Sequence, residues 1–114
     1  MSLNNVSDHE NLANISNGTA GEMVFYVEST GNKTYEEDST IEFQTATAWV
    51  SSKQPKNFDV LNTSTTDSMT VEFNDNGVLF TIAPEKGKGA ISIPPYISKV
   101  NIVATDTFEL LLRK

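Results

Sequence analysis

The stretch Met69–Ala83, MTVEFNDNGVLFTIA, decides the fold class, because its pattern is that of a β-hairpin. Asn76-Gly77 is the preferred pair for a two-residue type I′ turn, in which both central residues need φ > 0. Side chains alternate between the two faces of a strand, so one face of this hairpin is apolar. With that turn, the apolar residues pair across the ribbon, Phe73 opposite Phe80 and Val71 opposite Ile82.

Length and charge limit the possible roles of the chain. Its 114 residues suffice for one domain, which can bury roughly two-thirds of its unfolded surface without metals or disulfides. The chain has no cysteine, so disulfides and thiolate zinc sites are excluded. Fifteen acidic residues against eight basic ones give a formal charge of −7. Nucleic acid and anionic membrane surfaces are therefore not expected as partners, because both need a basic binding surface.

The chain divides into an arm and a body. Residues 1–20 have no periodicity and are rich in Asn and Ser, which predicts a flexible N-terminal arm. Leu12 and Ile15 are apolar residues of this arm that could contact another subunit. Residues 21–114 are predicted to form a single β-sandwich domain.

Three further segments before the hairpin are predicted to be strands. Glu22–Glu28 has apolar side chains on both faces, with Val24 and Tyr26 on the second one, which predicts a strand that is central or covered on both sides. Thr40–Val50 is a long β-prone segment with Ile41 and Phe43 on one face, and its apolar parity switches after Gln44, as at a bulge. A short strand, Phe58–Leu61, follows it.

The C-terminal part of the chain predicts an edge strand and a second hairpin. Ala90–Ile93 is a short strand that Pro94-Pro95 ends, which places it at a sheet edge. Ser98–Arg113 predicts a hairpin whose last strand also lies at a sheet edge. A loop at Asp106–Phe108 would pair Ala104 with Leu110 and Ile102 with Leu112. The same register places Val103 against Leu111 on the opposite face. An aligned aliphatic pair on a face that should be polar indicates contact with a partner or with a second layer.

Together these patterns predict seven or eight short strands with turns about every ten residues and no helix. The fold class is therefore all-β, as a single antiparallel β-sandwich of the immunoglobulin-like or jelly-roll type.

The residues that carry chemistry are few. The single histidine, His9, lies in the arm, where it is badly placed for a catalytic triad or a metal site. A glycosidase needs two carboxyl groups about 5 to 9 Å apart in a cleft. The candidate carboxylates are Glu36, Glu37, Asp38, Glu42 and Asp59. An acidic loop is usually only solvated, so we predict a protein that is not an enzyme, with no cofactor and no metal. A calcium site at Glu36–Asp38 is the one cofactor site left open.

The chain contains five N-x-[ST] sequences, the acceptor pattern for N-glycosylation. They allow a second interpretation, a glycosylated secreted domain. They lie at Asn5, Asn14, Asn17, Asn32 and Asn62. A chain so rich in Asn, Ser and Thr contains such sequences by chance, and we favour chance.

Two function classes remain. The first is a non-catalytic structural or assembly protein, such as a virion (phage) or surface-fibre component, that binds itself or other structural proteins as a homo-oligomer. Its location would be the virion or the extracellular surface. The predicted interface residues are Val103, Leu111, Val24, Tyr26, Leu12 and Ile15. The alternative is a glycan-binding or adhesion module, which would stack sugars on exposed rings at Tyr96, Tyr35 and Trp49.

Overall fold

A computed structural model describes residues 22–85 and 93–114 of the protein. Over these residues it is all-β: eight strands are present and no helix. No membrane-spanning helix is found in the same two ranges. The strands are β1 (Met23–Thr30), β2 (Lys33–Asp38), β3 (Ala48–Val50), β4 (Asn57–Asn62), β5 (Met69–Phe73), β6 (Phe80–Ile82), β7 (Lys99–Val103) and β8 (Thr107–Arg113).

The eight strands form two sheets in a sandwich-like arrangement. The smaller sheet has three strands in the order β1-β8-β4, and the larger has five in the order β3-β2-β7-β5-β6. All pairings are antiparallel except that of β2 with β3. The all-β prediction and the two-sheet arrangement are confirmed.

The core lies between the sheets and is built around aromatic rings. Phe73 of the larger sheet meets Phe58 of the smaller one edge to face, with ring centroids 5.0 Å apart. Phe25 contacts both Tyr35 and Trp49, at 5.4 and 5.6 Å. Such tilted aromatic pairs contribute about 0.5–1.5 kcal/mol each beyond the area they bury. Ring contacts thus join the two sheets, beside the buried aliphatic side chains of the same core.

The predicted β5–β6 hairpin is present, but its register differs from the prediction by two residues. Val71 pairs with Phe80, and Met69 with Ile82. The turn lies at Asn74 and Asp75, whose φ angles are 55° and 52°. A shift of two residues keeps every side chain on its predicted face, so Val71, Phe73 and Ile82 are buried as expected.

The predicted C-terminal hairpin is wrong. β7 belongs to the larger sheet and β8 to the smaller one, so Val103 and Leu111 do not pair. Val103 pairs with Thr70 instead, whereas Leu111 pairs with Tyr26 and Asp59. Alternation fixes which face a residue takes but not which strand lies beside it, and this is why the prediction failed.

The two sheets meet at a bend that we call the corner, formed by Gly31-Asn32 and Ala104–Asp106. β1 pairs with β8 on one side of it, and β2 pairs with β7 on the other. Across the bend, the Gly31 N–H donates to the carbonyl of Asp106 at 3.2 Å. The Ala104 N–H donates to the side-chain oxygen of Asn32 at 3.0 Å. One antiparallel ribbon thus contributes strands to both sheets.

Two strand positions are the reverse of those predicted. β1 is an edge strand, whereas β8, predicted at an edge, is the centre of the smaller sheet. The second face of β1 is covered nonetheless, since Val24 is buried and Tyr26 is half-buried. The alternative that β1 is covered on both sides is therefore the better description.

The segment between β2 and β3 is irregular over most of its length. Only Ala48–Val50 of the predicted strand Thr40–Val50 is a strand. Asp38 accepts hydrogen bonds from the Thr40 N–H and hydroxyl, and Gln44 accepts one from the Tyr26 N–H at 2.6 Å. Side chains thus bond to backbone groups here and compete with a sheet ladder. The arm, residues 1–20, and most of the edge strand predicted at 90–93 lie outside the described residues.

Candidate functional site

The most distinctive surface feature is the connection between β5 and β6, residues 74–79, which we call the clasped loop. Asn74, the first residue of the loop, is hydrogen-bonded to the chain just before and at the start of β7. The Asn74 side-chain oxygen accepts hydrogen bonds from the N–H groups of Ser98 and Lys99 at 2.8 and 3.2 Å. Its amide donates to the carbonyl of Tyr96 at 2.7 Å. These bonds explain why the turn begins here, since Asn also tolerates φ > 0.

The rest of the clasped loop is fixed to the outward face of the larger sheet. Asp75 accepts hydrogen bonds from Lys99 at 2.9 Å and from Asn101 at 2.6 Å. Glu72 accepts one from the Gly77 N–H at 2.8 Å and one from Asn101 at 3.0 Å. The Lys99 and Asn101 hydrogen bonds hold the pKa of the Asp75 carboxyl below its usual value. The loop is therefore ordered by its own polar contacts.

The clasped loop presents two adjacent apolar side chains to solvent. Val78 is 51 % exposed and Leu79 is 61 % exposed. The Val78 N–H donates to the side-chain oxygen of Asn76 at 2.9 Å, which fixes the backbone just before the two residues. Single exposed apolar residues are common, whereas two adjacent ones on a loop fixed by hydrogen bonds form a small apolar patch that is available for contact.

A second exposed apolar site lies beside β1. Phe43 is 79 % exposed, the highest fraction among the exposed large apolar residues of the described ranges. It borders a half-open cavity of about 140 Å³ between β1, β3 and the irregular segment. The cavity is lined by Met23, Val24, Glu42, Phe43, Gln44, Val50 and Lys53. Lys53 at its rim forms an ion pair with Glu22 at 2.6 Å.

The three rings proposed for glycan stacking are not brought together. Tyr35 and Trp49 belong to the core, with exposed fractions of 2 % and 0 %, so neither can stack on a sugar. Tyr96 alone is exposed, and its hydroxyl donates to the Glu37 carboxylate. The Thr40–Val50 pattern misled the prediction because it placed Trp49 on the face opposite Ala48 and Val50 without showing which face is buried.

The candidate carboxylates are also separated. Glu36, Glu37 and Asp38 follow one another along β2, where successive side chains point to opposite faces. Asp59 lies in the other sheet, buried and paired with Arg113. Among the described residues, no group of three or more acidic or histidine side chains could hold a metal ion. The calcium site considered at Glu36–Asp38 therefore lacks a cluster of ligands.

The predicted interface residues have different surroundings. Val103 is 55 % exposed on the outward face of the larger sheet, where it could meet a partner. Leu111 and Val24 are buried and have almost no free surface to offer. Tyr26 is half-buried, and its hydroxyl donates to Glu109 at 3.1 Å. Leu12 and Ile15 lie outside the described residues.

Of the five N-x-[ST] asparagines, Asn62 is buried and its side-chain amide donates to the carbonyls of Asp67 and Ile82. A glycan would replace one of the two N–H donors on that nitrogen and would have to fit at a buried position, which disfavours glycosylation there. Asn32 uses its side-chain oxygen at the corner. Asn5, Asn14 and Asn17 lie outside the described residues.

Comparison with known proteins supplies no relative: no family model, no curated protein and no solved structure matches this chain. The clasped loop and the Phe43 cavity are therefore the features of the molecule that bear on its function. Neither was predicted from the sequence. An apolar pair directly after Asn76-Gly77 was the available signal for the loop, but the assumed register placed Val78 in the ladder.

Proposed function

We propose that this protein is a non-catalytic structural or assembly protein that binds further copies of itself. The observation that carries the proposal is the clasped loop, which presents Val78 and Leu79 on a backbone already fixed by hydrogen bonds. A loop held in one conformation before binding loses less conformational entropy when it is covered.

The size of the apolar contact is sufficient to matter. Complete burial of a Val or Leu side chain is worth about 1.5–3 kcal/mol relative to full exposure. Val78 and Leu79 are about half exposed, so a contact that covers both contributes roughly 2–3 kcal/mol per chain. A two-fold contact counts this contribution twice, because the same patch is used on both subunits.

The charge of the chain favours an apolar contact over an ionic one. Two copies that each carry a formal charge of −7 repel one another at long range. Self-association must then be driven by apolar burial, and added salt should strengthen it by screening the repulsion.

Three finer parts of the proposal stay predictions. They are the flexible arm at residues 1–20, with Leu12 and Ile15 reaching a neighbouring subunit, the immunoglobulin-like or jelly-roll type of the sandwich, and a location on a virion or on the extracellular surface. All three agree with an assembly role, since small β-sandwiches are common in coat and fibre proteins, although this is an analogy at the level of the fold.

Sedimentation velocity on the full chain tests the proposal. We expect a mass above the monomer at high micromolar concentration, and a larger assembled fraction when the salt concentration rises to about 0.5 M. Leu79→Ser should lower the assembled fraction because it removes half of the exposed apolar pair. Thr81→Ser is the matched control, as it changes an exposed residue of β6 without removing apolar surface of the loop. A monomer under all conditions would overturn the proposal.

A further inference from the structure

We propose that the cavity beside Phe43 forms a two-fold contact between two copies of the chain, in which Phe43 of each copy fills the cavity of the other. The inference rests on the proposed self-association and specifies a second interface, separate from the clasped loop. The protruding ring and the cavity lie next to each other on one patch. Phe43 is the most exposed large apolar side chain of the described residues, and it is also part of the cavity wall. A two-fold axis makes such a patch complementary to itself.

The cavity has the size that this occupant requires. Its volume is about 140 Å³. An engineered protein cavity of about 150 Å³ binds benzene, so the present one can accept a phenyl ring. Four of its seven lining residues are apolar, namely Met23, Val24, Phe43 and Val50. An inserted Phe43 ring would also meet the Phe43 ring of the other copy, and aromatic pairs of this kind are favourable.

Hydrogen bonds on both sides of Phe43 fix the segment that carries its exposed ring. Gln44, the next residue, bonds to the Tyr26 N–H at 2.6 Å, and the Thr45 N–H donates to the Ala48 carbonyl at 2.8 Å. Before it, Asp38 caps Thr40 through two hydrogen bonds. The segment is thus fixed with the ring outward, and a second copy is the occupant that brings the same ring to the same cavity.

Charges at the rim suit a two-fold arrangement. Glu42 and Lys53 both line the cavity, and Lys53 is paired with Glu22. In the proposed pair, the two-fold axis brings Lys53 of one copy to Glu42 of the other. Opposite charges then face each other twice, which sets the orientation of the pair rather than its strength.

The test compares the native chain with Phe43→Ser and the conservative Phe43→Leu by sedimentation velocity. Phe43→Ser should raise the dissociation constant of this contact at least about tenfold, because it removes an aromatic anchor at the centre of the interface. Phe43→Leu should retain most of the association, and Thr47→Ala, an exposed residue of the same segment, should retain all of it. Unchanged melting temperatures would show that the variants remain folded.

Crosslinking tests the symmetry. The chain has no cysteine, so Glu42→Cys and Lys53→Cys each introduce a single thiol at the cavity. Because residue 42 of one copy faces residue 53 of the other, a short bis-maleimide should give a covalent dimer in a mixture of the two chains, and adding Phe43→Ser to both should abolish it. Absence of the crosslink in the mixture would overturn the two-fold contact.

The outcomes separate this inference from the proposed function. A native chain that is monomeric at every concentration overturns both. A native chain that assembles, with Phe43→Ser assembling equally well, overturns only the Phe43 contact. Loss of one association step in Phe43→Ser and of a different one in Leu79→Ser, with a monomer only in the double variant, supports both interfaces.

Discussion

The clasped loop and the corner are both short connections between strands, yet they are held in different ways. Within the clasped loop, the Phe73 carbonyl accepts a hydrogen bond from the Asn76 N–H at 3.1 Å, and Asn76 bonds to Val78. At the corner, the bond between Asn32 and Ala104 joins residues 72 positions apart. The clasped loop is therefore held by near neighbours in sequence as well as by bonds to Ser98, Lys99 and Asn101, whereas the bonds across the corner join residues far apart in sequence.

The backbone conformation and the bonding partners of each connection decide which sheet the next strand joins. The clasped loop returns the chain to the same sheet, because Asn74 and Asp75 adopt the positive φ angles that reverse it. The corner sends β7 and β8 into different sheets, since its polar groups bond to Gly31, Asn32 and Ser64 from elsewhere in the chain. A short polar stretch can thus make a hairpin or a crossing between sheets, depending on what lies beside it.

Removing the aromatic ring next to each connection should give the largest effect. Phe73 ends β5 before the clasped loop, and Phe108 lies near the start of β8 after the corner; both are fully buried. We expect Phe73→Ala and Phe108→Ala each to lower the free energy of unfolding by about 3–5 kcal/mol, through lost burial and an unfilled cavity. Urea denaturation measures both. A loss below about 1 kcal/mol at Phe73 would place it at the surface and contradict the described packing.

Matched glycine substitutions compare the two backbones directly. Gly31 at the corner and Gly77 in the clasped loop have φ angles of 82° and 79°, and a Cβ added at either would meet no atom within 4 Å. Backbone strain is then the main cost, and Gly31→Val and Gly77→Val should each destabilise the fold by about 1–3 kcal/mol.

The two glycine variants should differ in what else they disturb. Gly77→Val should weaken self-association, because strain beside Val78 alters the loop. Gly31→Val should leave association unchanged once its lower stability is taken into account. An unaltered melting temperature in Gly77→Val would show that this residue is not held at positive φ.

A smaller effect is expected from pH in the clasped loop. The folded protein holds the pKa of Asp75 below the ordinary value of 3.8, through its hydrogen bonds from Lys99 and Asn101. The carboxylate therefore stabilises the loop above that ordinary value, and this contribution is lost as the pH falls through the lowered pKa. NMR titration of the Asn101 side-chain amide measures it. Lys99→Ala should raise the pH at the midpoint of this titration. A midpoint at or above 3.8 in the native chain would contradict the hydrogen bonds described for Asp75.

The parts of the fold that depend on local pattern could be predicted from the sequence. The period-two alternation of Val71 and Phe73 gave their buried face, and the short strand near Phe58 was placed within one residue of each end. A two-residue error in register left the faces unchanged, so alternation could not reveal it. The strands that pair with β8 could not be predicted, because alternation does not specify which strands lie side by side.

The candidate site was harder to predict, because both of its parts depend on distant contacts. The turn lies at Asn74 and Asp75 because Ser98 and Lys99 donate to Asn74, which exposes Val78 and Leu79 beyond the ladder. Phe43 was expected to share a strand face with Ile41. It is exposed because hydrogen bonds at Asp38 and Gln44 replace a strand there.

The central position of β8 has a consequence for how the chain folds. β1 and β4 lie on either side of β8 and are not neighbours in the sheet, and β8 follows every other described strand in the sequence. Met23 pairs with Arg113, so the smaller sheet closes one of the longest loops the described chain can form. Contacts this distant in sequence slow folding, since their closure entropy is lost before they stabilise anything. During synthesis, the edges of β1 and β4 therefore stay unpaired until residues 107–113 have emerged from the ribosome. In that interval they can pair with other chains.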